Sequence, residues 1–249
     1  MQQTFSRAAF ALVAVLGPSA PVRAQTGPRD PGATRGLFLP SAFTPGNGRI
    51  TGAVFDLAYF SFDAGIGDGG QAGLQFGHLG PLASYLGAQA KVAARGDGFA
   101  VALFGAGLLF VPFTGDIAPV AGAGPVLSVG DRNRFINVGF GAYSVAFPEH
   151  TVGLALPNAG FFWRLSRRLR LGTEISTPGF FANDALEAEG ERAVKFEVAE
   201  LWLIGYGARF VWPMTWLDLA FVLPICDGCG QVYRYAPIGI PLIGAGFAL

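Results

Sequence analysis

Cys226 and Cys229 stand in a CDGC stretch and are the only cysteines of the chain. Two thiols at this spacing can close a local disulfide, work as a redox pair or supply half of a zinc site. A redox pair needs a helix N-terminus in a βαβ setting, and zinc needs about four ligands. Neither a βαβ pattern nor a nearby histidine accompanies CDGC, so a disulfide that staples a loop in an oxidising compartment is expected. His78 and His150 are the only histidines. His150, with Glu149 beside it and Ser144 earlier on the same segment, has the residue types of a hydrolytic site, but no nucleophile motif accompanies it. A solvated histidine at a turn is the plainer reading, and no enzymatic activity is expected. Asp184, Glu187, Glu189 and Glu191 form an acidic run whose spacing matches no calcium loop. It reads as a solvated run, and no metal or cofactor is called for.

The elements that would position these residues are unusual for a water-soluble domain. Of 249 residues, 51% are hydrophobic and only 14% charged, with formal net charge +0 and mean hydropathy +0.44. A soluble domain carries about 25% charged residues. Without a basic run or net charge, a nucleic-acid partner is not expected. Residues 1–24 read as a secretory signal peptide: Arg7, the apolar run AAFALVAVL, the break at Gly17 and Pro18, then Val22-Arg23-Ala24 as cleavage site. Residues 25–35 read as a flexible periplasmic lead-in, and 36–249 as the folded unit. Its longest apolar run, FAVALFGAGLLFVPF, covers 99–113 and contains two glycines and a proline. A helical span needs about 20 apolar residues.

Strand periodicity is the stronger signal. After the SRR turn, Arg168, Arg170, Gly172, Glu174 and Ser176 fall in one phase, and Leu169, Leu171, Thr173 and Ile175 in the other. The segments 86–93, 134–147, 216–223 and 242–249 alternate in the same way, one phase fatty, the other small or polar. That pattern predicts a closed antiparallel transmembrane β-barrel with lipid outside and polar residues inside. Lys91, Arg170, Glu174, Arg209 and Asp218 are expected to line the lumen. Trp202 and Trp212 share a phase with Tyr206 and lie ten residues apart, which at about 3.3 Å per residue and a tilt of about 40° spans the roughly 25 Å apolar band of such a barrel. They, with Trp163, Tyr206 and Trp216, are expected in the interfacial aromatic girdles.

The strands read as 36–43, 49–65, 71–79, 84–94, 99–112, 117–129, 134–147, 151–165, 168–178, 196–212, 215–224 and 238–249. Twelve is the expected number; ten results if the first, which contains Pro40, and the short third are lost. Both termini and the turns at GDGG, RGDG, GDRN, SRR and PM would face the periplasm, and the longer FFANDALEAEGERAV and CDGCGQVYRYA connections would face outward.

LFLPSAFTPGNGRI, the pair FFWRLSRRLRLGTEIS, then LWLIGYGARF, LDLAFVLP and the closing PLIGAGFAL together resemble a group of small bacterial outer-membrane β-barrel proteins. The resemblance spans most of the chain after the signal peptide. It implies location in the bacterial outer membrane, outer-membrane lipid and lipopolysaccharide as surroundings, and delivery by the barrel assembly machinery, with no catalytic residues implied. Such barrels often end on an aromatic residue, whereas here Phe247 stands two positions before Leu249. A narrow, porin-like channel or ligand-conducting pore, with a small solute as partner, is the leading expectation. A closed barrel with a structural or surface-interaction role, its lumen plugged by its own side chains and the lead-in, is the alternative. A lipid-modifying barrel enzyme ranks below both.

Overall fold

A computed structural model describes residues 31–35, 37, 40–56, 58–78, 83–112, 117–146, 151–183, 194–198 and 200–249. The expected signal peptide, most of the lead-in, Glu149, His150 and the acidic run at 184–191 lie outside the described residues. The first strands are β1 (Ile50–Phe55), β2 (Tyr59–Ile66), β3 (Gly70–His78), β4 (Ala83–Gly96), β5 (Phe99–Pro112), β6 (Ala118–Asp131) and β7 (Arg134–Ala146). They are followed by β8 (Thr151–Arg164), β9 (Leu169–Ser176), β10 (Gly179–Asn183), β11 (Val194–Val198), β12 (Leu201–Val211), β13 (Thr215–Cys226) and β14 (Ile240–Ala248). A short helix, α1 (Gly230–Tyr235), lies in the β13–β14 connection.

All pairings are antiparallel, and β1 pairs with both β2 and β14, which closes the sheet. β8 pairs with β10 through Thr151–Ala155 and with β9 through Asn158–Arg164. β10 pairs with β11, and β9 with β12. Thus β9 and β10 form one stave interrupted at Thr177-Pro178, and β11 and β12 form its neighbour. The wall is a closed barrel of twelve staves. Pro178 explains the interruption, because it has no N–H to give to a ladder.

The expected number of strands is right for a reason the sequence reading did not contain, because two errors cancel. The segment 36–43 is not a wall strand, so the wall begins at Ile50 rather than at residue 36. The segment 49–65 is two strands, separated by a tight turn at Asp56, a non-glycine residue with φ 46°. Asp56 holds this turn to β14 by accepting the Ile243 N–H at 2.6 Å. The FFANDALEAEGERAV connection is also shorter than expected, since its first and last residues belong to β10 and β11.

The alternation decides which way each strand faces. On β9, Arg170, Gly172, Glu174 and Ser176 are buried while Leu171 and Ile175 are exposed. Leu74, Leu86, Val92, Leu103, Val138 and Ile243 lie on the same apolar exterior. Inward glycines make room for large side chains from the next strand. A Cβ on Gly172 would lie 2.6 Å from the Phe162 ring, and one on Gly246 would lie 2.2 Å from the Trp216 ring. The buried core therefore sits on the barrel axis and draws on the wall (Phe135, Phe162, Val126, Ala220) and on the N-terminal segment (Leu37, Ala42, Phe43).

Candidate functional site

The turns after β2, β4, β6, β8 and β12 share one end of the barrel, here the turn end. The described residues of the segment 31–44 (31–35, 37 and 40–44) enter the lumen in that half and fill it as a hairpin. A 3-10 turn at Pro31–Thr34 leads into a bridge between Arg35 and Pro40. Ser41 Oγ ties the two arms together by donating to the Ala33 carbonyl at 2.5 Å. Phe43 then packs edge-on against Phe135 at 5.1 Å, and Phe135 stacks on Phe162 at 4.8 Å. Apolar burial fixes the depth of this plug, while buried charges fix its orientation.

Each of the five side chains expected on the lumen faces inward, and four of them bond directly to the plug or to one another. Lys91 Nζ donates to the carbonyls of Thr34, Ser41 and Phe43 at 3.0, 3.1 and 2.7 Å. An ammonium has three N–H donors, so the plug satisfies all of them. Arg209 forms a two-point pair with Asp218, Nε to Oδ1 at 2.6 Å and Nη2 to Oδ2 at 2.9 Å. Its Nη1 reaches the Gly32 carbonyl at 2.6 Å. Glu174 Oε1 accepts the Leu37 N–H at 3.1 Å. Arg170 instead donates to the Arg132 carbonyl and lies over the Phe135 ring at 5.7 Å. Burying an ion costs several kcal/mol unless it finds a partner, and here the partners are largely plug carbonyls and amides.

Sequence reasoning missed several further contacts. Arg95 and Arg132 converge on the Thr44 carbonyl at 3.2 and 2.8 Å where the plug leaves the lumen. Ser128 Oγ accepts the Ala42 N–H at 2.9 Å and donates to Asn137. Arg35 lies 3.6 Å over the Phe55 ring and 3.9 Å from the Asp218 carboxylate. Burial lowers the Arg35 guanidinium to about 10, with Asp218 pulling the other way, so it stays charged at neutral pH. The inward phase of their strands could have found Ser128 and Asn137; nothing local in the sequence marks Thr44 or Arg35.

The aromatic residues divide. Trp163, Trp202, Tyr206 and Trp212 lie on the exterior, and Tyr206 donates its hydroxyl to the Ile238 carbonyl. Trp216 does not belong with them, which corrects the expectation. It is 3% exposed, because on β13 it shares the inward phase of Asp218 and Ala220, and its ring packs over Gly246 beside Gly32. Cys226 and Cys229 are joined as a disulfide at the head of α1. His78 is exposed at the end of β3, and Ser144 Oγ makes only a 3.5 Å contact with the Ala121 carbonyl. Among the described residues no three His, Cys, Asp or Glu side chains gather as a metal site.

Among the described residues, the far half of the lumen is open. A cavity of about 430 Å³ lies above Thr34, Arg35 and Pro40 of the plug, between β2, β3, β4, β5 and β7. Gln89 Nε2 donates to Asp63 Oδ1 at 2.7 Å, and the Tyr59 hydroxyl donates to Gln75 Oε1 at 3.1 Å.

These features define a plugged, outer-membrane-type β-barrel fold. No family model matches the chain, and no curated protein matches it. Among solved structures it is similar to the outer-membrane expressed OmpT of Vibrio cholerae. The two are 9% identical with a TM-score of 0.45, over 77% of this chain and 64% of that one. The chain thus spans somewhat under two thirds of that protein. The expectation of a barrel without enzymatic activity is withdrawn. It rested on the want of a local nucleophile motif, and on a barrel wall catalytic side chains can come from separate strands, where no local motif would reveal them.

Proposed function

We propose that this protein is an outer-membrane barrel held shut by its own N-terminal segment, with the turn end in the periplasm and the open cup facing outward. An apolar exterior, short turns at one end and exterior tryptophans toward both ends support a membrane setting with outer-membrane lipid as its surroundings. The observation that carries the closed state is Lys91, whose three donors are all spent on plug carbonyls. A lysine lining a water-filled path would keep its ammonium hydrated.

Conductance across a planar bilayer tests this. The chain beginning at residue 25 is expected to insert without steady current. Removal of residues 25–44, or Lys91→Met as a milder loosening of the plug, is expected to give channel openings, which is the narrow pore that the inward charges suggest by themselves. Steady current through the full chain, or silence in both variants once inserted, would overturn the reading.

A further inference from the structure

We propose that the open cup above the plug binds a small, neutral, polyhydroxylated solute of the saccharide class. The inference rests on the closed-barrel reading for its floor and goes beyond it by assigning a ligand. At about 430 Å³, the cavity falls within the roughly 300–1,000 Å³ usual for small-molecule sites.

Charge argues for neutrality. The charged residues of the lining are Arg35, Lys91, Asp56 and Asp63, two of each sign. Lys91 is held by the plug, Asp63 by Gln89 and Asp56 by the Ile243 N–H, while Arg35 lies over the Phe55 face and 3.9 Å from Asp218, with its Nε and Nη2 making no hydrogen bond among the described residues. With two charges of each sign, the lining carries no net charge that would select an ionic ligand. What the lining offers instead is uncharged hydrogen-bonding capacity in the amides of Gln71, Gln75 and Gln89. Gln75 and Gln89 each commit one end of the amide to Tyr59 or Asp63, which holds it in place and leaves the other end for a ligand. Gln71 is 8% exposed, and its Oε1 has no partner among the described residues. A buried acceptor left unpaired costs about 1–3 kcal/mol, and a hydroxyl from a ligand would satisfy it.

Shape adds to the argument. Tyr143 lies across Gly122 of the next strand, where a Cβ would come within 2.1 Å of its ring. Tyr143 and Phe104 both border the cavity. A flat aromatic surface bordered by amides suits a sugar ring, which has C–H faces and a hydroxyl edge. A wholly apolar ligand would leave the amides without partners.

Isothermal titration of the refolded chain, residues 25–249, in a zwitterionic or amine-oxide detergent without sugar headgroups tests this with glucose and maltose. Lysine and glutamate serve as charged comparators. Saturable binding of at least one of the sugars is expected. Gln71→Ala should weaken it about ten-fold, as loss of one buried hydrogen bond implies. Ala106→Trp, which fills the cavity from β5, should abolish it. Heat-modifiable gel migration identifies variants that remain folded, and Gln71→Ala carries the test if the larger change does not fold. No saturable binding of either sugar, tighter binding of a charged comparator, or binding indifferent to a folded variant would overturn the assignment. If the sugars fail to bind while the full chain stays silent in the bilayer, the ligand assignment falls and the closed barrel stands.

Discussion

The two halves of the lumen handle polarity in opposite ways. In the turn-end half, Arg209, Asp218, Glu174 and Lys91 are buried ions, and the protein supplies backbone groups of residues 31–44 to meet them. In the far half, among the described residues, space is left open and amides and tyrosines dominate, while Arg35, Asp56 and Asp63 each lie beside a group of the protein itself. Charge is thus concentrated where the chain fills its own interior, and neutral hydrogen-bonding groups where it does not. Desolvation explains the division, since a buried ion needs a permanent partner, whereas an amide facing a cavity tolerates water or a ligand.

That contrast breaks most readily at the Arg209–Asp218 pair. Arg209→Ala leaves Asp218 buried without its two-point partner and should cost about 3–5 kcal/mol, read as the urea midpoint of reversible unfolding in lipid vesicles. Gln75→Ala in the cup should cost less than about 1 kcal/mol by the same measurement. Equal costs would erase the distinction between the halves. The outer face sharpens it from the other side. Leu74 is 58% exposed near the middle of β3, and Leu74→Arg should cost about 2–4 kcal/mol in a bilayer; indifference to that change would mean the apolar exterior does not face hydrocarbon. Ser128→Ala lies near the lower end of the series. It removes the acceptor of the Ala42 N–H and should cost about 1 kcal/mol, with the effect vanishing in a chain that lacks residues 25–44.

The sequence exposed the wall more readily than the plug. Alternation marks a strand whose faces meet different surroundings, so β9, β13 and β14 stand out without any structure. It also puts Trp216 in phase with Asp218, a sign that outweighs its position beside the turn at Pro213. Hydropathy, however, cannot tell a residue facing lipid from one buried on the barrel axis. Leu37, Ala42 and Phe43 are as apolar as a wall strand because they belong to the core with Phe135 and Phe162, and so GLFLPSAF reads as the first strand. The turn at Asp56 is hidden for a different reason: it contains neither glycine nor proline, and apolar residues flank Asp56 on both sides. Which inward charges meet the plug depends on contacts between residues far apart in the chain, as between Glu174 and Leu37, and no local pattern records those.

Reactivity of a single cysteine placed inside the plug tests the central claim most directly. In an Ala42→Cys chain the native Cys226–Cys229 pair is already closed, so a water-soluble maleimide reports on position 42 alone. With Ala42 wholly buried against Ser128, the folded barrel should resist labelling and react only once unfolded in urea. Labelling of the folded barrel as fast as the unfolded chain would show that residues 31–44 do not fill the lumen.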